Sequence, residues 1–263
     1  MNEEQKALKT IQSVERALDI LESFDHFKQE FGVTELSKHL RLHKSTVHGI
    51  MTTLTHRGYL DQNLKTGGYR LGLKLFELGE IVQEGIDLKT ISEPFLEQLL
   101  EKFGETVHLV IMDHWEVVYI DKRESRQSMR IVSQVGKRLP AHCSGVGKSM
   151  LAWQAPEELD EFLRLKGLPR LTAKTITDEH QFREELARIR QQGYAVDNEE
   201  ITEGLRCVAA PIFNHSGEVA GAMSIAGPTV RMTEDRIQQI IDNVVRTAGA
   251  ISTKMGHKSP QHL

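Results

Sequence analysis

The chain has 263 residues, 39% of them hydrophobic and 27% charged, the composition of a globular protein long enough for two domains. Its formal net charge of -4 excludes a uniformly basic nucleic-acid coat, and no apolar run approaches the roughly 18 residues of a membrane span. Residues 1–10 lack the apolar segment of a signal peptide, and the two cysteines, Cys143 and Cys207, suit a reducing compartment, so a cytoplasmic protein without a membrane partner is expected.

Residues 11–24, IQSVERALDILESF, set Val14, Ala17, Leu18 and Leu21 at helical spacing, which predicts a first helix with these side chains inward. Residues 33–40, VTELSKHL, predict a second short helix with Leu36 and Leu40 inward and Thr34 as N-cap. Only Arg41 to His43 separate it from a third, where Val47, Ile50, Met51 and Leu54 recur at i, i+3, i+4 and i+7 as one apolar stripe. The other face of this third helix carries Lys44, Ser45, Thr46, His48, Thr52 and Thr53, and no carboxylate occurs from residue 36 to residue 60. A solvated face normally mixes both charge signs; a face without acids suits a polyanion. Residues 33–70 hold Lys38, Arg41, Lys44, Arg57, Lys65 and Arg70 against only Glu35 and Asp61, so positive charge gathers here in an otherwise acidic chain.

Two short helices joined by such a turn form a helix-turn-helix, whose second helix enters the DNA major groove by its N-terminal residues. The bland alternative is a three-helix bundle used for dimerisation; the acid-free face favours DNA. Gly58 is expected to end the helix, Tyr59 and Leu60 to open a strand, residues 63–68 to turn, and Tyr69 to Leu71 to return as a wing. In this reading Lys44, Arg57 and Arg70 hold phosphates while Ser45, Thr46, His48 and Thr52 approach base edges.

Residues 73–85 predict an amphipathic helix with Leu75, Leu78 and Val82 on one side, suited to connect two domains and to pair with its twin in a dimer. A second unit begins near Asp87, with a helix over 95–103 stopped at Gly104. Strands are expected over 106–112, 116–122 and 129–134, and helices over 145–153, after Pro156, and over 178–192, the last capped by Thr177 and stopped by Gly193. A hairpin of 205–213 and 218–227 follows, then a helix over 234–253 with Ile237, Ile240, Ile241, Val244 and Val245 inward. Antiparallel hairpins with helices outside make an α+β sensor-like domain.

Several constellations bear on chemistry. Gly147-Lys148-Ser149 ends like a phosphate-binding loop, but His142 stands where that loop needs its first glycine. The glycines of 144–147 at a helix entrance leave N–H groups that can hold a carboxylate, although Ser144 serves equally well as a plain N-cap. His108, His142, Cys143 and Cys207 lack metal-ligand spacing, so neither a metal nor a cofactor is expected. Cys143 or Cys207 as a nucleophile would make an enzyme with an accessory winged helix, but nothing specifies a His partner. Asp197-Asn198-Glu199-Glu200 reads as a largely solvated loop, one of whose acids could line a pocket.

Four segments, VTELSKHLRLHKSTVHGI, GYRLGLKLFELG, DNEEITEGLRCVAAPIF and GEVAGAMSIAGPTVR, in this order and spacing, resemble the IclR family of transcriptional regulators from end to end. EEITEGLRCVAAPIF is most similar to the branch of repressors of 2-keto-3-deoxygluconate and related sugar-acid catabolism. The resemblance implies a winged helix-turn-helix over 10–72, a linker helix over 73–86 and a GAF-like antiparallel-sheet effector domain over 87–257. It implies a homodimer or homotetramer on palindromic double-stranded operator DNA, and a small organic acid effector, a keto acid or sugar acid. The implied effector pocket is Ser144, Gly145, Val146, Asp197, Cys207 and Ser224. Two positions depart from the family pattern: Ala226, where a hydroxyl is frequent, and Gly49, where relatives commonly carry arginine. The implied role is non-enzymatic, a repressor of a carbohydrate or sugar-acid operon, with an activator of an aromatic or other carboxylate operon as the alternative.

Overall fold

The computed structural model describes residues 10–24, 28–84, 87–130 and 133–258. The chain divides into two compact units, Met1–Gly85 and Ile86–Leu263.

The first unit runs α1 (Gln12–Glu22), α2 (Val33–His39), α3 (Lys44–His56), β1 (Leu60–Gln62), β2 (Tyr69–Leu71) and α4 (Leu73–Glu84). Its core gathers Ile20, Phe24, Phe31, Leu36, Val47, Met51, Leu60 and Tyr69, so the apolar stripe of α3 is buried as its spacing requires. The inward face of α1 differs from the expectation: Val14 and Leu18 stay 52% and 50% exposed. This helix carries two apolar stripes, and the one ending in Ile20 and Phe24 wins because Phe24 meets Phe31 edge-to-face at 5.2 Å. The expected cap of α2 is also corrected, since Gly32 in extended backbone precedes the helix and Thr34 lies inside its first turn. The Ser37 hydroxyl donates to Leu42 O at 2.7 Å, and Arg41 takes a left-handed φ of 55°, which together fold the chain sharply from α2 into α3. The hairpin pairs Asp61 with Arg70, and Phe31 bridges to Tyr69 through two backbone bonds of 2.9 Å, tying the wing to the helices. At the hairpin's end only glycine fits at position 72, where a Cβ would stand 2.2 Å from Gly58 O. On α4, Leu73, Phe76 and Ile81 are exposed, while the Val82 side chain lies outside the described residues.

The second unit runs α5 (Asp87–Phe103), β3 (Thr106–Asp113), β4 (Glu116–Arg123), β5 (Arg138–Pro140), α6 (Gly145–Leu151), α7 (Pro156–Lys166), α8 (Glu179–Gln192), β6 (Ala195–Asn198), β7 (Leu205–Phe213), β8 (Val219–Pro228) and α9 (Glu234–Lys254). The strands form one antiparallel sheet in the order β5-β4-β3-β8-β7-β6. One face packs on α5 and α9 through residues such as Leu96, Leu109, Ile225 and Ile240. The other packs on α6, α7 and α8 through Val110, Val146, Phe162, Phe182 and Ala222.

Five expectations are corrected here. Helix α5 begins at Asp87 and passes through Pro94, because Leu88, Leu96 and Leu99 bury one continuous face. No strand forms at 129–130 or 133–134, and 131–132 lie outside the described residues; the strand beside β4 is β5. Side chains hold that stretch instead, with Lys122 Nζ donating to Ser133 O at 2.6 Å. Asp178 caps α8, accepting from Gln181 N at 2.9 Å, while the Thr177 hydroxyl accepts from Arg170. Val245 faces outward at 37% exposure. Finally, 195–198 is the edge strand β6, and Asp197 and Glu200 are buried to 1% and 6% exposure rather than solvated.

Candidate functional site

The candidate site on the first unit is an exposed helix face. Lys44, Ser45, His48 and Thr52 are exposed on α3 and Thr46 is half-buried; Ser45 and Thr52 lie opposite the buried Val47 and Met51, His48 and Thr46 flank them, and Lys44 reaches solvent from the first turn on the side of the buried stripe. The first turn of α3 contains no acid and no side-chain cap bond, so its backbone N–H groups remain available to an anion. Thr52 Oγ1 donates to His48 O at 2.8 Å and Thr53 Oγ1 to Gly49 O at 2.9 Å. Those threonines therefore offer acceptor lone pairs and a methyl group outward. Arg57 is exposed just past the helix end. Arg70 is exposed too, but pairs across the hairpin with Asp61 at 3.0 Å; an exposed pair of this kind is weak enough to exchange for a phosphate.

The candidate site on the second unit is buried. Residues paired across an antiparallel ladder project to the same face. His108 pairs with Ser224, and Asp197 with Cys207, on the sheet face that meets α6. Small side chains, Ala195, Ala209, Ala222 and Ala226, are buried on the same face. The α6 entrance lies directly over this row: a Cβ on Gly145 would be 3.3 Å from Cys207 Sγ and 3.4 Å from Asp197 N. Gly147 is more tightly confined still, its place for a Cβ being 2.2 Å from Ala141 O. Ser144 is a true N-cap, accepting from Gly147 N at 3.2 Å and donating to Pro140 O at 3.1 Å. Val146 packs into the apolar cluster beside it. The structure thus brings Gly145, Asp197, Cys207 and Ser224 together, with Ser144 and Val146 flanking the glycine.

Burial disfavours charge throughout this cluster. It pushes the Asp197 carboxyl up to about 7, against a backbone bond from Glu200 N at 2.7 Å that favours the anion. It pushes the Cys143 and Cys207 thiols up to about 12, so neither supplies the thiolate that nucleophilic catalysis needs. It holds His108 down at about 3, with the Lys122 charge adding, so the imidazole is uncharged. Sequence reasoning missed two members: His108, weighed only as a metal ligand, and Tyr119. Their rings lie 4.7 Å apart, and His108 Nε2 meets Ser133 Oγ at 2.8 Å. The alternation of β3 around Val107 and Leu109 was the available signal for His108.

Lys148 is no phosphate ligand. It is 1% exposed, and its Nζ bonds Glu200 Oε1 at 2.5 Å, Val196 O at 2.9 Å and Glu185 Oε1 at 3.3 Å. An ammonium so enclosed depends on both carboxylates.

Two family descriptions match the chain: IclR helix-turn-helix domain over residues 13–64 and bacterial transcriptional regulator IclR C-terminal over residues 81–253. The chain is 38% identical over 247 residues to the HTH-type transcriptional regulator XynR of Escherichia coli, covering 94% of this chain and 98% of that protein. It is 34% identical over 248 residues to the transcriptional repressor IclR of Escherichia coli, covering 94% and 90%. Among solved structures, an IclR homologue from Microbacterium hydrocarbonoxydans complexed with 4-hydroxybenzoate is similar at a TM-score of 0.83 and 26% identity, covering 92% of this chain and 98% of that one.

Proposed function

The chain belongs to the IclR family of bacterial transcriptional regulators and is a DNA-binding regulator, and from that premise we propose that it is a repressor released from its operator by a small organic acid. The observation that carries the acid is the buried cluster of Asp197, Cys207 and Ser224 under Gly145, polar atoms enclosed by alanines. Neutral donors there can hold a carboxylate once Asp197 is protonated. A keto acid or sugar acid is the proposed class, its hydroxyls meeting Ser224 and His108. A second reading, an aromatic carboxylate, is favoured by the His108–Tyr119 ring pair and by the neighbour crystallised with 4-hydroxybenzoate.

Residues 10–72 are the proposed DNA-binding domain, 73–86 the linker and 87–257 the effector domain. Lys44, Arg57 and Arg70 hold phosphates, and Ser45, Thr46, His48 and Thr52 meet base edges. Support for a homodimer comes from the exposed Ile11, Val14 and Leu18 of the α1 region and Leu73, Phe76 and Ile81 of α4, apolar surface that a second copy would cover. Two copies present two α3 helices to a palindrome. Bound acid then biases one arrangement of the linker helices and so the spacing of those two helices.

Fluorescence anisotropy on DNA from upstream of the protein's own gene, against random DNA, tests the reading. Keto acids, sugar acids and 4-hydroxybenzoate are added in turn. Specific binding that one acid weakens supports the repressor; specific binding that an acid strengthens replaces it with an activator. Indifference to every acid rejects the effector assignment.

A further inference from the structure

The tip of the wing, between β1 and β2, is built from side chains that nearly all serve the turn. Asn63 Oδ1 accepts from Lys65 N at 3.0 Å, and Asn63 Nδ2 donates to Glu30 Oε2 at 3.0 Å. The Thr66 hydroxyl donates to Glu30 Oε1 and accepts from Gly68 N at 3.2 Å. Backbone bonds close the loop, Asn63 N to Gly68 O at 2.8 Å and Gly67 N to Asn63 O at 2.7 Å. Glu30 stands just before α2, so both oxygens of one carboxylate fasten the tip to the helical part of the unit.

Leu64 takes no part in this. Its 93% exposure is the highest of any large hydrophobic residue among the described residues. Turns draw on Asn, Thr and Gly for their geometry, and leucine has no such role. A leucine held out in water on a fixed loop gains only when a partner covers it. The charges around it indicate that partner. The Glu30 carboxylate is engaged by Asn63 and Thr66, and Asp61 is paired with Arg70 at 3.0 Å. Lys65 is exposed beside Leu64, and no ion pair among the described residues engages it. An apolar end next to an unpaired cation suits a narrow groove walled by phosphates. The DNA minor groove, about 6 Å wide, is such a place, and the wing follows directly on α3, the helix assigned to the major groove.

We propose that Leu64 is an apolar wedge that enters the minor groove beside the α3 contact and partly unstacks a base step there. Lys65 meets the adjacent phosphate. The protein then reads the deformability of a step to which it makes no hydrogen bond, and a flexible pyrimidine–purine step is favoured under each wing tip. The fixed tip matters, because a mobile loop would yield before the stacked bases did.

Hydroxyl-radical footprinting, which reports the minor groove, and energy transfer between dyes on the two DNA ends test this on DNA from upstream of the protein's own gene. The wild type should protect a minor-groove tract in each half-site and bring the DNA ends closer. Leu64→Ala, which removes no contact within the protein, should lose that tract and much of the bend. It should bind the operator about tenfold more weakly, with random-DNA affinity and salt dependence unchanged. Leu64→Met keeps an apolar end and should stay within about twofold of the wild type. Replacing the protected step by a stiff A-tract should weaken the wild type and leave Leu64→Ala unaffected. Unchanged footprint, bend and affinity in Leu64→Ala, equal losses on operator and random DNA, or Leu64→Met as weak as Leu64→Ala overturns the wedge. So does a change of oligomeric state in Leu64→Ala, because the leucine would then serve a second copy. The inference rests on α3 entering the major groove, so His48→Ala is measured alongside. Specific binding lost in His48→Ala but kept in Leu64→Ala rejects the wedge alone; the reverse rejects the α3 reading.

Discussion

The two units keep their proposed functional residues in opposite places. In the first, Lys44, Ser45, His48 and Thr52 stand in solvent on α3, above a core that includes Val47 and Met51. In the second, His108, Asp197 and Ser224 are at most 2% exposed, and Cys207 is 7% exposed, beneath a helix entrance. In the proposed reading the first selects its partner by what the surface omits, a carboxylate, and the second by what burial does to groups that would be charged in water. A polyanion can be met at a surface, where counterion release drives binding. A small acid has too little area to be held that way and has to be enclosed.

The contrast breaks most visibly in the core of the first unit. Met51→Ala, at a fully buried position, should cost about 2–5 kcal/mol. Operator binding should collapse while a calorimetric transition of the second unit stays in place; a parallel fall of both would mean the units do not fold separately. Next comes Asp197→Asn. The folded carboxyl at about 7 lies above its ordinary 3.8, so the folded state binds this proton more tightly than the unfolded chain. Its stabilising effect is full below pH 3.8 and is lost as pH rises through 7. The neutral amide avoids that loss, so the variant should be more stable by about 4 kcal/mol at pH 8 and unchanged near pH 3, read by urea unfolding. Equal stability at both pH values would remove the buried acid from the account.

His48→Ala should cost about 1–3 kcal/mol on operator DNA and little on random DNA, as a base-reading side chain does; uniform weakening would make it a backbone contact. Gly49→Ala tests the unusual glycine of α3. It is exposed with nothing within 4 Å of a Cβ, so alanine should stabilise the unit by about 1 kcal/mol. A fall in operator affinity despite that gain would mean DNA approaches the backbone there. Arg70→Ala should have the smallest effect, lowering the salt dependence of binding by about one phosphate contact, equally on every sequence.

How much was legible follows the same division. The α3 stripe and its acid-free face could be read because periodicity and charge are local. Even there α1 misled, since its sequence carries two apolar stripes and only the position of Phe31 chooses between them. Thr177 and Asp178 are both good caps, and their competition was settled by which oxygen reaches Gln181 N. In the second unit Asp197 and Glu200 looked like a solvated acidic loop. Their burial depends on Lys148, which lies 52 residues before Glu200, and on a strand register joining Asp197 to Cys207. No local pattern encodes such pairings. His108 entered the cluster for the same reason, through its register with Ser224.

The most direct measurement is operator-DNA anisotropy on the wild type and on Ser224→Ala, each titrated with the acid that most affects the wild type. The expected result is equal operator affinity without acid, release of the wild type by the acid, and a response in Ser224→Ala that needs at least tenfold more acid. Equal responses in the two proteins would contradict it, because the acid would then act somewhere other than the buried cluster.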